Sequence, residues 1–446
     1  MKFELHSNAL AAFNEQATVV AESAGLQPPP ISRSTEGFKP DIHSSATLTS
    51  ADVCGPIQMS NSDQNGNMLS RFIQDGKAVV GFNEVAYAKL RKLAHSIQKT
   101  DAFRNSVGVQ FVEDALFHWS LQKLKGETDK TACEHVASAA EQKVSRQEIW
   151  VPVYGLYVQS AIRVGPVTFR TITRQMIDEW QQQIKDSAQG NPQVLFKFDR
   201  DRKQLLGFAA ATYEIEAEPM RAAEIASDLA DKAISILRLF ATANFDPQQF
   251  SYCVPLGSHQ RYGHHHITVR DGKIVGETRG ITPKGQYPWA IDDAFLDEIN
   301  SNGLNVLSAL FEKEPKTPFE ELVFDALLLY SKAALVPTLA EKLLYMFAAL
   351  ESVLLRKGEP ITDTLAERLA YLVARDSDSR FAVRKAVKEA YGVRSRFVHD
   401  GQREDADLSD FFVNAWTGLC AMAESTSKFQ SQNELLDNIE RYKYRS

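Results

Sequence analysis

Tyr391-Gly392-Val393-Arg394-Ser395-Arg396-Phe397-Val398-His399-Asp400-Gly401 closes a run in which Val383, Ala386, Val387 and Ala390 recur at helical spacing from about Ser379. The quoted stretch therefore reads as the end of an amphipathic helix. Three helices are expected before the one that carries this run, the first over Phe319–Lys332 and the second from Pro337, a good first-turn residue, to Arg356, with Gly358 just beyond. A third opens on the capping box Thr364-Leu365-Ala366-Glu367, whose hydroxyl and carboxylate each satisfy an orphan backbone donor. After the quoted stretch, Leu408, Phe411, Phe412, Ala415, Trp416 and Leu419 form a wide apolar stripe, either core or dimer interface. Five helices with short connections predict an antiparallel bundle over 315–446. The prolines of Glu314-Pro315-Lys316-Thr317-Pro318 mark its boundary.

Upstream the period changes. Ile149–Val158, Val164–Ile172, Val194–Phe198 and Ala211–Ala217 are rich in β-branched and aromatic residues or alternate, and read as strands. Met220–Ala243 reads as a long helix, and Ile267–Val275 as a hairpin turning at Asp271-Gly272. An α/β sensor or regulatory domain is expected over 149–314. Residues 76–148 are expected to be helical, from the spacing of Ala86, Leu90, Leu93 and Ile97 and from a second pattern over Asp129–Lys143. Residues 1–75, with Pro28-Pro29-Pro30 and the polar run Ser60–Asn67, are expected to be an extended or partly disordered arm. The fold class is α+β and multidomain: a C-terminal antiparallel all-α bundle after a mixed α/β N-terminal and middle region.

An Arg, four intervening residues and a His, late in a helical bundle, resembles the Rx4-6H motif of HEPN domains. The wording Val393-Arg394-Ser395-Arg396-Phe397-Val398-His399-Asp400-Gly401 is similar to the Apea-like branch, with Asp400 as an extra residue before the glycine. Upstream, Phe347-Ala348-Ala349-Leu350-Glu351-Ser352-Val353-Leu354-Leu355 matches that family's early helix with an embedded acid. The resemblance covers about 316–446. It implies a metal-independent endoribonuclease, working as a homodimer through the C-terminal bundle, with His399 as acid/base, Arg394 as phosphate clamp and Glu351 orienting or tuning the pair. It further implies a bacterial anti-phage role of abortive-infection or toxin type, held off by the N-terminal region until a phage-derived or small-molecule trigger arrives.

The chemistry stands beside the resemblance. RNA is cut without a metal when its own 2′-OH attacks the adjacent phosphate, which needs a proton carrier of near-neutral pKa, the province of histidine. It also needs a fixed cation where charge builds, for which the planar guanidinium is suited. Residues 375–403 hold eight basic and four acidic side chains, a net of +4 in a chain of net −7, so RNA contact is expected from a local patch that includes Ser395, Arg396, Lys388 and Arg384. On one unbroken helix, residues five apart diverge by about 140° while residues three apart lie about 60° apart. Geometry alone thus favours Arg396 with His399, the family pattern favours Arg394, and a break at Gly392 or at Asp400-Gly401 would reconcile them. A capping role for His399 at a helix C-terminus, and a plain internal hydrogen bond for Glu351, are the structural alternatives.

Length, 446 residues, suggests two or three units, and 44% hydrophobic with 24% charged residues is a globular composition. Cys54, Cys133, Cys253 and Cys420 are far apart with no CxxC pair, which argues against a disulfide framework or zinc knuckle and for a reducing, cytoplasmic setting. No apolar run suits a signal peptide or membrane span, so no membrane partner is expected. His264-His265-His266 alternate faces if extended and are not expected to hold a metal, and no cofactor is expected. The other class left open is a non-catalytic bundle that dimerises or senses a ligand or partner. A catalytic middle domain ranks last, without a Walker A loop, a GxSxG elbow or an HExxH motif.

Overall fold

The computed structural model describes residues 3–27, 58–75, 78–187, 205–258, 263–270, 273–281, 289–401 and 406–443. The chain forms two compact units, one of residues 1–147 with 214–224 and one of 148–213 with 225–446.

In the first unit, α1 (Ser7–Glu22) precedes an antiparallel sheet formed by Gly25–Gln27 (β1), Gln58–Ser62 (β2), Met68–Asp75 (β3) and Ala78–Phe82 (β4), in the order β1-β4-β3-β2. Helices α2 (Glu84–Gln98), α3 (Val109–Lys125) and α4 (Ala132–Lys143) follow. The expected arm over 1–75 is therefore partly regular structure: α1 buries Ala17, Val20 and Ala21 in the same core as Tyr87, Leu90, Phe117 and Trp119. Ala86, Leu90, Leu93 and Ile97 are the buried stripe of α2, and Asn83 caps it. Within the span expected to be helical, α3 is a helix that no periodic pattern singles out. It buries Val112, Ala115, Leu116, Phe117, Trp119, Ser120 and Leu121, a nearly all-round pattern with no amphipathic period to detect.

The second unit opens on a sheet of order β10-β5-β9-β8-β7. Its strands are β5 (Ser145–Tyr154), β7 (Ile162–Val164), β8 (Val167–Thr171), β9 (Ala209–Ala217) and β10 (Val254–Pro255). The strand expected over 149–158 is two, because Gly155 takes φ 75°, a left-handed conformation that ends β5 and starts β6 (Leu156–Val158), which pairs in parallel with β13 (Trp289–Ile291). Helices α5 (Arg174–Ser187) and α6 (Pro219–Arg238) flank β9 in sequence. β11 (Gly263–Arg270) and β12 (Lys273–Ile281) form the expected hairpin, with Arg270 opposite Lys273 and a bulge at Thr268/Val269. His264–His266 lie inside β11 rather than before it. The turn residues 271–272, the strand expected over 194–198 and Cys54 lie outside the described residues.

The helical part continues with α7 (Asp293–Ile299), α8 (Asn305–Glu312), α9 (Pro318–Ser331), α10 (Leu339–Leu354), α11 (Ile361–Val373), α12 (Ser377–Asp400), α13 (Ser409–Ser425) and α14 (Gln432–Lys443). The last is one more helix than the sequence pattern counts. The boundary expected at 315 does not separate two cores. Phe311 stacks on Phe324 at 5.4 Å, and both belong to one continuous core. Pro318 instead starts α9, behind a capping box of Thr317 and Glu320. The box expected at Thr364 is likewise absent: α11 begins a turn earlier, leaving Thr364 inside the helix. Phe411 and Phe412 are fully buried, Phe411 stacked on Phe347 at 4.9 Å, and the Trp416 indole donates to the Leu239 carbonyl at 3.0 Å, so this stripe is core. The buried Arg368 of α11 donates to the Leu354 carbonyl at 2.8 Å and to both Glu359 oxygens at 2.5 and 2.8 Å, and lies 3.5 Å from Glu440 of α14. One cation thereby ties α10, α11 and α14.

Candidate active site

Asp376 caps α12, accepting from the Ser379 N–H, and the helix runs unbroken through Gly392 to Asp400. The expected break at Gly392 is not there. The Arg396 side chain folds back over that glycine, so that a Cβ would stand 3.3 Å from Nη1. Nor does Asp400 lengthen the turn: it is the last helical residue, and Gly401 takes φ 67° with its N–H on the Arg396 and Phe397 carbonyls.

An unbroken helix fixes which motif residues share a face. Val383, Ala386, Val387, Ala390 and Val393 are buried, and Arg394 lies on the flank of that stripe, half-buried. His399 is exposed and about 140° away around the axis. Arg384, Lys388, Ser395 and Arg396 all lie within about 60° of His399's direction, and all but Ser395 are exposed. Lys388 pairs with Asp363 of α11 at 2.5 Å, and Lys385 with Glu389 at 3.8 Å.

Arg394 meets α10. Its Nη1 lies 3.8 Å from Glu351 Oε1, an ion-pair distance, and donates to the Tyr391 hydroxyl at 3.2 Å. The guanidinium stands over the Tyr391 ring, 5.2 Å from its centroid, and Phe347 packs edge-on against that ring at 5.3 Å. The structure thus brings Glu351 and Arg394 together and adds Tyr391, which the motif reading passed over, although its position three residues before Arg394 places it one turn away on a helix. It does not bring Arg394 and His399 of one copy together. Glu351 Oε1 and Arg394 Nε are buried without a hydrogen-bond partner, so this cluster holds polar capacity that the fold does not use.

Burial raises the Glu351 carboxyl above its ordinary value, and the nearby Arg394 only partly offsets this. A raised folded pKa favours the protonated fold, so the carboxylate is costless below about pH 4.5 and lowers stability as pH climbs through the folded value. Glu351→Gln is therefore expected to gain stability relative to wild type between pH 4 and pH 7, measured by urea unfolding at both. A difference that stays constant with pH would show that the carboxylate is not strained there.

Among the described residues no three His, Cys, Asp or Glu groups are placed to hold a metal ion, and no helix is long and apolar enough to cross a membrane. Cys133, Cys253 and Cys420 are free thiols. No protein-family model, no curated protein and no solved structure matches this chain.

Proposed function

We propose that the chain is a metal-independent endoribonuclease of HEPN type whose reacting face is the last turns of α12. The observation that carries this reading is the exposed His399 in line with Lys388, Ser395 and Arg396 at the end of a helix whose wording resembles the Apea-like motif. The 2′-oxygen of a bound ribose attacks the neighbouring phosphorus, the bond to the 5′-oxygen breaks, and the products are a 2′,3′-cyclic phosphate and a 5′-hydroxyl. His399 accepts the 2′-OH proton or delivers one to the leaving 5′-oxygen. An arginine balances the charge that builds on the phosphate. Arg396 shares His399's face, whereas Arg394 is held by Tyr391 and Glu351. A homodimer, which the resemblance implies, would let Arg394 and His399 act from different copies. Residues upstream of the helical region would hold the activity off until infection supplies a trigger, giving an abortive-infection or toxin-like effector.

The divergence of Arg394 and His399 within one copy favours a second reading, a non-catalytic bundle that dimerises or binds a partner. Growth after induced expression separates the two. The ribonuclease reading expects arrest by wild type and none by His399→Ala. Equal growth of both, with or without phage challenge, would favour the binding module.

A further inference from the structure

Phe381 is 72% exposed, an unusual place for a large aromatic ring, and it lies on the same line of α12 as His399. Eighteen residues separate them, which is five whole turns and about 27 Å along one helix face. Between them that face carries Arg384, Lys385, Lys388 and Arg396, the last with its side chain folded back over Gly392 in the middle of the track. Its acids are few: Glu389 and Asp363 each pair with a track lysine, and Asp378 sits in the first turn. The end near Phe381 is aromatic and cationic beyond that one ring. Arg380, its neighbour, stands over Tyr371 at 4.4 Å and over the 45% exposed Tyr442 at 5.3 Å.

We propose that α12 is a track for single-stranded RNA, with an unpaired base stacked on Phe381 and the phosphates led along Arg384, Lys388 and Arg396 to His399. The inference rests on the ribonuclease reading and adds to it one contact, Phe381 as the platform for an unpaired base. A row of cations beside exposed rings suits a flexible single strand, whose bases turn outward to stack while its backbone follows the charge. A duplex hides its base faces, and a solitary exposed ring offers it nothing. Charge complementarity selects RNA over an apolar partner segment, since the ring stands in a row of cations rather than in an apolar groove.

The test uses the full chain carrying His399→Ala, so that bound RNA stays intact, and measures fluorescence anisotropy with a labelled unpaired oligoribonucleotide and with its duplex. Phe381→Ala in that background is expected to weaken single-strand binding by about 5- to 100-fold and leave duplex binding unchanged. Phe381→Trp is expected to restore it. Being exposed, Phe381 can be replaced without disturbing the core. Equal single-strand affinity for Phe381→Ala and its parent would overturn the track, as would equal losses on duplex and single strand, and a protein partner for Phe381 would then be the better reading. Cleavage by the otherwise wild-type chain is scored separately. Binding through Phe381 without any cleavage keeps the track and sinks the nuclease, whereas cleavage indifferent to Phe381 does the reverse.

Discussion

Arg368→Ala is expected to destabilise the protein by about 3–5 kcal/mol, the largest stability loss among the substitutions considered, as the cost of breaking a buried charge pair. The guanidinium is 2% exposed and is held by the Leu354 carbonyl, Glu359 and Glu440. Without it the last carbonyls of α10 lose a donor and the Glu359 carboxylate loses its main partner. Glu359 keeps the Arg356 N–H at 2.7 Å and is 24% open to solvent, which places the loss toward the lower end of that range. The pH dependence identifies the cause. Arg368 is the chief influence that lowers the Glu359 carboxyl to about 2. The stabilisation is therefore complete above about pH 4.5, the ordinary value, and is lost as pH falls toward 2. Urea unfolding of wild type and Arg368→Ala should differ most at neutral pH and converge on acidification. A loss below 1 kcal/mol, or one insensitive to pH, would mean that the network does not bind α14 to the rest of its unit.

The second large effect is on catalysis. Purified His399→Ala is expected to cut unpaired RNA about 10²- to 10⁴-fold more slowly than wild type, the usual worth of a positioned acid/base. Arg394→Ala is expected to lose about 10²- to 10³-fold, on the scale of removing one donor to transition-state charge. Arg394→Lys should recover little, because an ammonium replaces neither the planar contact with the Tyr391 ring nor the forked donors. If Arg396→Ala instead abolishes cleavage while Arg394→Ala leaves it intact, the arginine on the histidine's own face is the clamp. Rates equal to wild type for both His399→Ala and Arg394→Ala would remove α12 from the chemistry.

Much of the helical region was legible because its cues are local. The helix expected over 319–332 and the spacing of Val383, Ala386, Val387 and Ala390 are readable within one or two turns, and both helices are present, whereas Pro337, expected in a first turn, lies before the Thr338 cap of α10. What local cues miss is the tertiary decision. Phe311 lies before the prolines and Phe324 after them, yet they stack in one core, and no short stretch of sequence records that pairing. Buried α3 lacks a period because it is apolar on most sides, and α1 sits in a region whose neighbours are polar and proline-rich. The site divides in the same way. Helical spacing alone says that Arg396, not Arg394, accompanies His399, and the unbroken helix agrees. The meeting of Arg394 with Glu351, 43 residues earlier in the chain, had only the resemblance to suggest it, and Tyr391 emerges from the fold itself.

The most direct test of the central claim is the chemistry of the RNA ends after incubation with the full chain and a metal chelator. Wild type is expected to leave fragments bearing 2′,3′-cyclic phosphates and 5′-hydroxyls, and His399→Ala none. RNA left intact, or cut only when divalent cations are restored and then carrying 5′-phosphates, would contradict it.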